Sequence, residues 1–183
     1  LRPKDIRIHP DYHRDGHSLP INDIAVIVLD ISIPLKTYPH IKPACLPKTG
    51  VTSEDFVGKT GTVTGWGCAE LCEDGTWPLQ ENDLSVLGNC TIWETEKPET
   101  RFCADFTNGH ICTDDTGGPF VVNDPKNNNA MTLIGVVSYG NNGGNLEKTP
   151  AFADVPYFMQ KNKSGWLMAQ LQDLETCDPP QAA

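Results

Sequence analysis

Cys112-Thr113-Asp114-Asp115-Thr116-Gly117-Gly118-Pro119 sets the Thr116 hydroxyl between carboxylates and a glycine pair, and leads into the β-prone Phe120-Val121-Val122. A nucleophile needs such a placement, because its hydroxyl must protrude while backbone amides stay free to face a developing oxyanion. Taken alone, the stretch reads more readily as an Asp-rich surface turn.

Three further segments change that balance. Asn22-Asp23-Ile24-Ala25 puts a carboxylate at the head of Ile24 to Leu29, a continuous apolar run of strand length. Gly61-Thr62-Val63-Thr64-Gly65-Trp66-Gly67 follows, and Ile134-Gly135-Val136-Val137-Ser138-Tyr139-Gly140 comes last, overlapping the apolar run Leu133 to Val137. Asp124 to Asn129 reads as a hairpin loop and Asn141 to Asn145 as a second loop. Only Val155 to Leu174 shows helical spacing, in Tyr157, Phe158, Trp166, Leu167, Leu171 and Leu174, with Ser164-Gly165 weakening its middle.

Composition agrees with a β-rich, turn-rich unit. The 183 residues, 38% hydrophobic, fill one sizeable core, and 16 glycines and 15 prolines disfavour a helical bundle. A net charge of −10 opposes binding to nucleic acid or an anionic membrane, and no apolar run approaches the length of a membrane span. Seven cysteines at spacings that form no two Cys-x-x-Cys metal pairs point to disulfides in a secreted chain, with at least one sulfur left for a free thiol or another chain. No metal and no cofactor are expected. Asn89 and Asn162 head Asn-x-Ser/Thr sequons, a weak sign of glycosylation. The opening Leu1-Arg2-Pro3 carries neither an initiator methionine nor a signal segment, so an upstream part is expected. His9, His13 and His17 are expected to be solvated loop histidines.

Together, the four segments resemble the chymotrypsin/trypsin family of serine proteases, in which Asn-Asp-Ile-Ala carries the triad aspartate and Gly-Asp-Ser-Gly-Gly-Pro the nucleophile. Their order and spacing agree, and the likeness runs from about Ile6 to Leu171. The resemblance implies an all-β fold, the trypsin-like double β-barrel with a C-terminal helix. Residues 1–42 would be the remainder of the first barrel, 43–52 the linker around Pro-Ala-Cys-Leu-Pro, 53–154 a complete second barrel and 155–176 the terminal helix.

Residue by residue, the resemblance makes Asp23 the triad aspartate and Thr116 the nucleophile, a departure from serine by one methyl group. A β-branched hydroxyl is stiffer and bulkier near the carbonyl it would attack. Asp114 stands where a glycine helps, with the nucleophile's own amide, to form the oxyanion hole, and its carboxylate would oppose the charge to be stabilised. His110 occupies the position of the specificity aspartate, so a basic substrate residue would meet no carboxylate. Ser138, Tyr139 and Gly140 match the pocket-edge strand, and Asp115 the aspartate that pairs with a new N-terminal amine on activation. The triad histidine has no match in the chain. Cys90 and Cys103 match a family disulfide. Cys112 has lost its usual partner position to Asn142-Gly143-Gly144 and is assigned to Cys68 or Cys72. Another family disulfide is absent at both ends, with Gly61 and Val122 in its places. Cys45 matches the cysteine that ties the domain to an upstream chain, with Cys177 as the other candidate partner.

Two functions are then in view. One is a secreted protease homologue without catalysis, serving as a protein-binding or regulatory module. The other is an endopeptidase using Thr116, with its histidine supplied from upstream. A purely structural piece of a larger complex is a third.

Overall fold

Three phenylalanines from different strands set the centre of the molecule. In the computed structural model, Phe102 stacks on Phe152 with ring centroids 5.2 Å apart, and Phe120 lies 4.7 Å from Phe152. All three are fully buried, with Val63, Leu84, Val86, Ile134 and Val137 closed around them. The structure describes residues 1–67, 78–88, 90, 96–106, 111, 113–139 and 149–171.

These side chains line a closed barrel of six strands: β5 (Thr60–Gly65), β6 (Gln80–Gly88), β7 (Arg101–Phe106), β8 (Pro119–Asp124), β9 (Ala130–Tyr139) and β10 (Ala151–Asp154). The order around the barrel is β10-β7-β6-β5-β8-β9, and every pairing is antiparallel. Alternate residues point inward, as Gly61 and Val63 do on β5 and Phe120 and Val122 on β8. Closure leaves the barrel no open edge. The β8–β9 connection is the expected loop: a 3-10 turn over Pro125–Asn127, followed by Asn128 and Asn129 in the left-handed region that asparagine tolerates.

The first 30 residues make only fragments of sheet. Strands β1 (Pro3–Ile8) and β4 (Ala25–Leu29) pair as a two-stranded ribbon, and β2 (His13–Arg14) pairs with β3 (Pro20–Ile21). The apolar run at Ile24 to Leu29 suggested a buried strand, but Ile27 is 61% exposed. Ile6 faces Ile27 and Ile8 faces Ala25 across the ribbon, so these four form one outward apolar face. Ile24 and Val26 instead join a second cluster with Val155, Phe158 and Leu167, which fastens the ribbon to the barrel and the C-terminal region. The proline-rich segment at 43–47 lies along the barrel, where Cys45 donates to Met131 and accepts from Leu133 through its backbone.

The terminal helix is two short ones, α1 (Val155–Met159) and α2 (Trp166–Gln170). Gly165, at φ +59°, caps the second and interrupts the helical path, as Ser164-Gly165 suggested. Residues 172–176 lie outside the described residues. Cys90 and Cys103 are disulfide-bonded, as expected. Cys45, matched above to a cysteine bonded either to an upstream chain or to Cys177, is disulfide-bonded. Gly61 and Val122 oppose each other across β5 and β8, with the Phe120 ring occupying the space a side chain on Gly61 would need.

Candidate active site

Asn22 sits at φ +51°, buried, with its side-chain amide donating to the Asp11 carbonyl at 3.1 Å. Asparagine accepts this left-handed backbone more readily than most residues. The bend delivers Asp23, partly buried, to the end of β9, where the Ser138 hydroxyl donates to its carboxylate at 2.6 Å. Two positions 115 residues apart in sequence thus meet as a charge-assisted hydrogen bond.

The Thr116 turn reaches the same end of β9. Residues Thr113–Asp115 form a 3-10 turn, and Gly117, at φ +88°, donates to the Val137 carbonyl at 2.9 Å. Val137 in turn donates to the Gly118 carbonyl at 2.9 Å, and Gly118 to that of Asp115 at 2.8 Å. Both glycines are required, Gly117 by its backbone angle and Gly118 because a methyl group there would come within 2.8 Å of the Asp115 carbonyl. Asp114 and Thr116 are exposed on this turn. Since Val137 precedes Ser138, the turn and Asp23 are held to neighbouring residues of one strand.

Asp115 points the other way, into the Gly65-Trp66-Gly67 turn. Its carboxylate accepts from the Gly67 amide at 2.9 Å, and a methyl group on Gly65 would come within 1.9 Å of it. Glycine on both sides of Trp66 is what allows that seat.

Tyr139 lies mostly buried over Arg101, its ring centroid 5.4 Å from the guanidinium, which donates to the phenol oxygen. Burial raises the Tyr139 phenol above its ordinary pKa, with Arg101 opposing. The same guanidinium, itself 3% exposed, donates to the Pro20 carbonyl at 3.0 Å and so ties the barrel to β3 beside Asp23. Sequence reading missed Arg101. An arginine opening the otherwise apolar run Arg101-Phe102-Cys103-Ala104 was the available signal.

His13 and His17 are exposed, as expected. His9 is not: it is buried against Phe158 and Trp166. The reason is the second apolar cluster, which covers the end of β1. His110, Gly140, Cys68, Cys72, Cys112, Cys177 and Asn89 lie outside the described residues. Asn162 is exposed in the turn before α2. Among the described residues, no group of three or more His, Cys, Asp or Glu side chains is placed to hold a metal ion, and no helix is long and apolar enough to cross a membrane.

The family model for trypsin matches residues 2–161. The chain belongs to the trypsin family. Its relatives include transmembrane protease serine 11G of Rattus norvegicus, 30% identical over 170 residues, or 88% of this chain and 38% of that protein. Suppressor of tumorigenicity 14 protein homolog of Bos taurus is 30% identical over 81% of this chain and 17% of its own length. Transmembrane protease serine 11C of Mus musculus is 31% identical over 85% of this chain and 36% of its own length. The chain therefore spans less than two-fifths of these relatives. In family terms, the six-stranded unit is a trypsin-type barrel, and Asp23, Ser138 and the Thr116 turn meet at its rim.

Proposed function

We propose that the chain is a secreted trypsin-family member that cuts no peptide bonds and serves as a protein-binding or regulatory module built on the family's cleft. The observation that carries this reading is the Thr116 turn, whose glycine-dependent backbone is intact while its side chains suit catalysis poorly. Thr116 offers a stiffer, bulkier nucleophile than serine. Asp114, exposed two residues earlier, brings a carboxylate to a place where an oxyanion would need donors. Scaffold retained with chemistry lost is the pattern of a protein kept for what its surface binds. The disulfide, together with relatives named as transmembrane proteases, supports an oxidising, extracytoplasmic setting, in which exposed Asn162 would be open to glycosylation.

The Asp23–Ser138 bond also favours a second reading, an endopeptidase that uses Thr116 with a histidine from a longer parent chain. A fluorophosphonate probe separates the two. On the pseudoprotease reading, a parent form carrying a histidine upstream stays unlabelled, as does its Thr116→Ser variant. Thr116→Ser with Asp114→Gly is the smallest change expected to give labelling, because loss of one oxyanion donor alone costs about 10² to 10³ in rate. Labelling of the unmodified parent at Thr116 would establish the enzyme instead.

A further inference from the structure

We propose that His9 is an acid-sensitive latch: when its ring takes up a second proton, the turn and helix of residues 160–171 loosen from the end of β1 while the six-stranded barrel stays folded. The ring is 6% exposed, 5.5 Å from the Phe158 ring and 5.0 Å from that of Trp166. Its Nδ1 accepts the Asp11 backbone N–H at 3.2 Å, so the neutral ring carries its proton on Nε2, which faces the Ser164 hydroxyl at 3.4 Å. Ser164 Oγ also accepts from the Trp166 amide at 3.4 Å, so one imidazole holds both the turn and the start of α2. A second proton on Nδ1 would face the Asp11 N–H, donor against donor, and would put a charge where little water reaches it.

Neighbouring charges do not reverse this. On the histidine's own segment, Asp11 favours the charged ring, while Arg7 is paired with Asp5 at 2.8 Å. From the facing segment Lys97 opposes the charge, and Glu96 is paired with His13. The turn contributes Lys161 and Lys163, the latter over the Tyr157 ring, and α2 carries no charged residue. Burial is the largest influence and holds the ring below its ordinary pKa. The sign follows: the latch is intact above the ordinary histidine pKa of about 6.5 and is lost as pH falls below it. Asp154, at the start of α1, acts in the opposite sense, because its burial favours the protonated acid.

Hydrogen exchange on the whole 183-residue chain, corrected for intrinsic rates and compared at about pH 7.5 and about pH 5, tests the latch. Exchange in 160–171 should rise at least about fivefold at the lower pH, with β8 and β9 unchanged. The rise should vanish in His9→Gln, which keeps an acceptor and a donor but cannot charge, and persist in Asp154→Asn. An NMR titration of the unmodified protein gives a check independent of any variant, with the His9 ring titrating below free histidine. No rise in the unmodified protein, an equal rise in His9→Gln, loss of the rise in Asp154→Asn, or a His9 ring titrating at or above the free value would each overturn the latch.

Discussion

Gly61 shows how a single position can be decided by its neighbours across a sheet. A methyl group there would come within 2.5 Å of the Phe120 ring and 2.8 Å of Val122, both buried at the barrel's centre. Gly61→Ala should therefore lower stability by about 1–3 kcal/mol, read as a shift in the urea midpoint with unchanged slope. Tyr139 makes a complementary case in polar terms. Tyr139→Phe keeps the ring over Arg101 but removes the oxygen to which the buried guanidinium donates. A loss of about 1–3 kcal/mol is expected. A neutral result in the same denaturation assay would mean that water replaces the phenol and that the barrel junction is wetter than its burial implies. Neither neighbour was legible from the sequence, since the partners are Phe120 and Arg101, far along the chain from Gly61 and Tyr139.

At the scale of the element, the C-terminal region is governed by Asp154. It caps α1 by accepting the Tyr157 amide at 2.9 Å, and it accepts the Ser53 hydroxyl at 2.5 Å. Those bonds favour the carboxylate, yet burial outweighs them and pushes its pKa from 3.8 up to about 6. Because the folded value lies above the unfolded one, this group's stabilisation is full below about pH 3.8 and is lost as pH rises through about 6. The change is on the order of 3 kcal/mol. Asp154→Asn keeps an acceptor for the Tyr157 amide and cannot ionise. Its stability relative to the unmodified chain should improve from about pH 4 to about pH 7.5. A difference in melting temperature that stays constant over that range would show that the carboxyl does not titrate there. The helical spacing of Tyr157, Phe158, Trp166 and Leu167 was visible in the sequence. The break between α1 and α2 was foreshadowed only by Gly165, because periodicity reports which residues face the core and says little of where the chain turns.

For the whole molecule, the contrast is between a barrel that closes and a ribbon that does not. Ile6, Ile8 and Ile27, at 56%, 61% and 61% exposure, lie on one face of the β1–β4 ribbon. Such a patch is unusual on a soluble surface and favours association. We expect the 183-residue chain to bind a hydrophobic dye and to self-associate, and Ile6→Lys with Ile27→Lys to reduce both while leaving the barrel's urea midpoint unchanged. Dye binding that survives the double substitution would locate the exposed surface elsewhere. The sequence by itself determined the family, three of the six barrel strands (β5, β8 and β9) and the Thr116 turn. These depend on local features that a chain carries in order: alternation within a strand, asparagine or glycine at a left-handed bend, and motif spacing. Tertiary structure alone decided that Ser138 meets Asp23, that Arg101 lies beneath Tyr139, that His9 is buried and that Ile27 is not. Each depends on which distant surface covers a residue, and local pattern does not encode that, because an apolar or titratable side chain reads the same in sequence whether its partner is water or another strand.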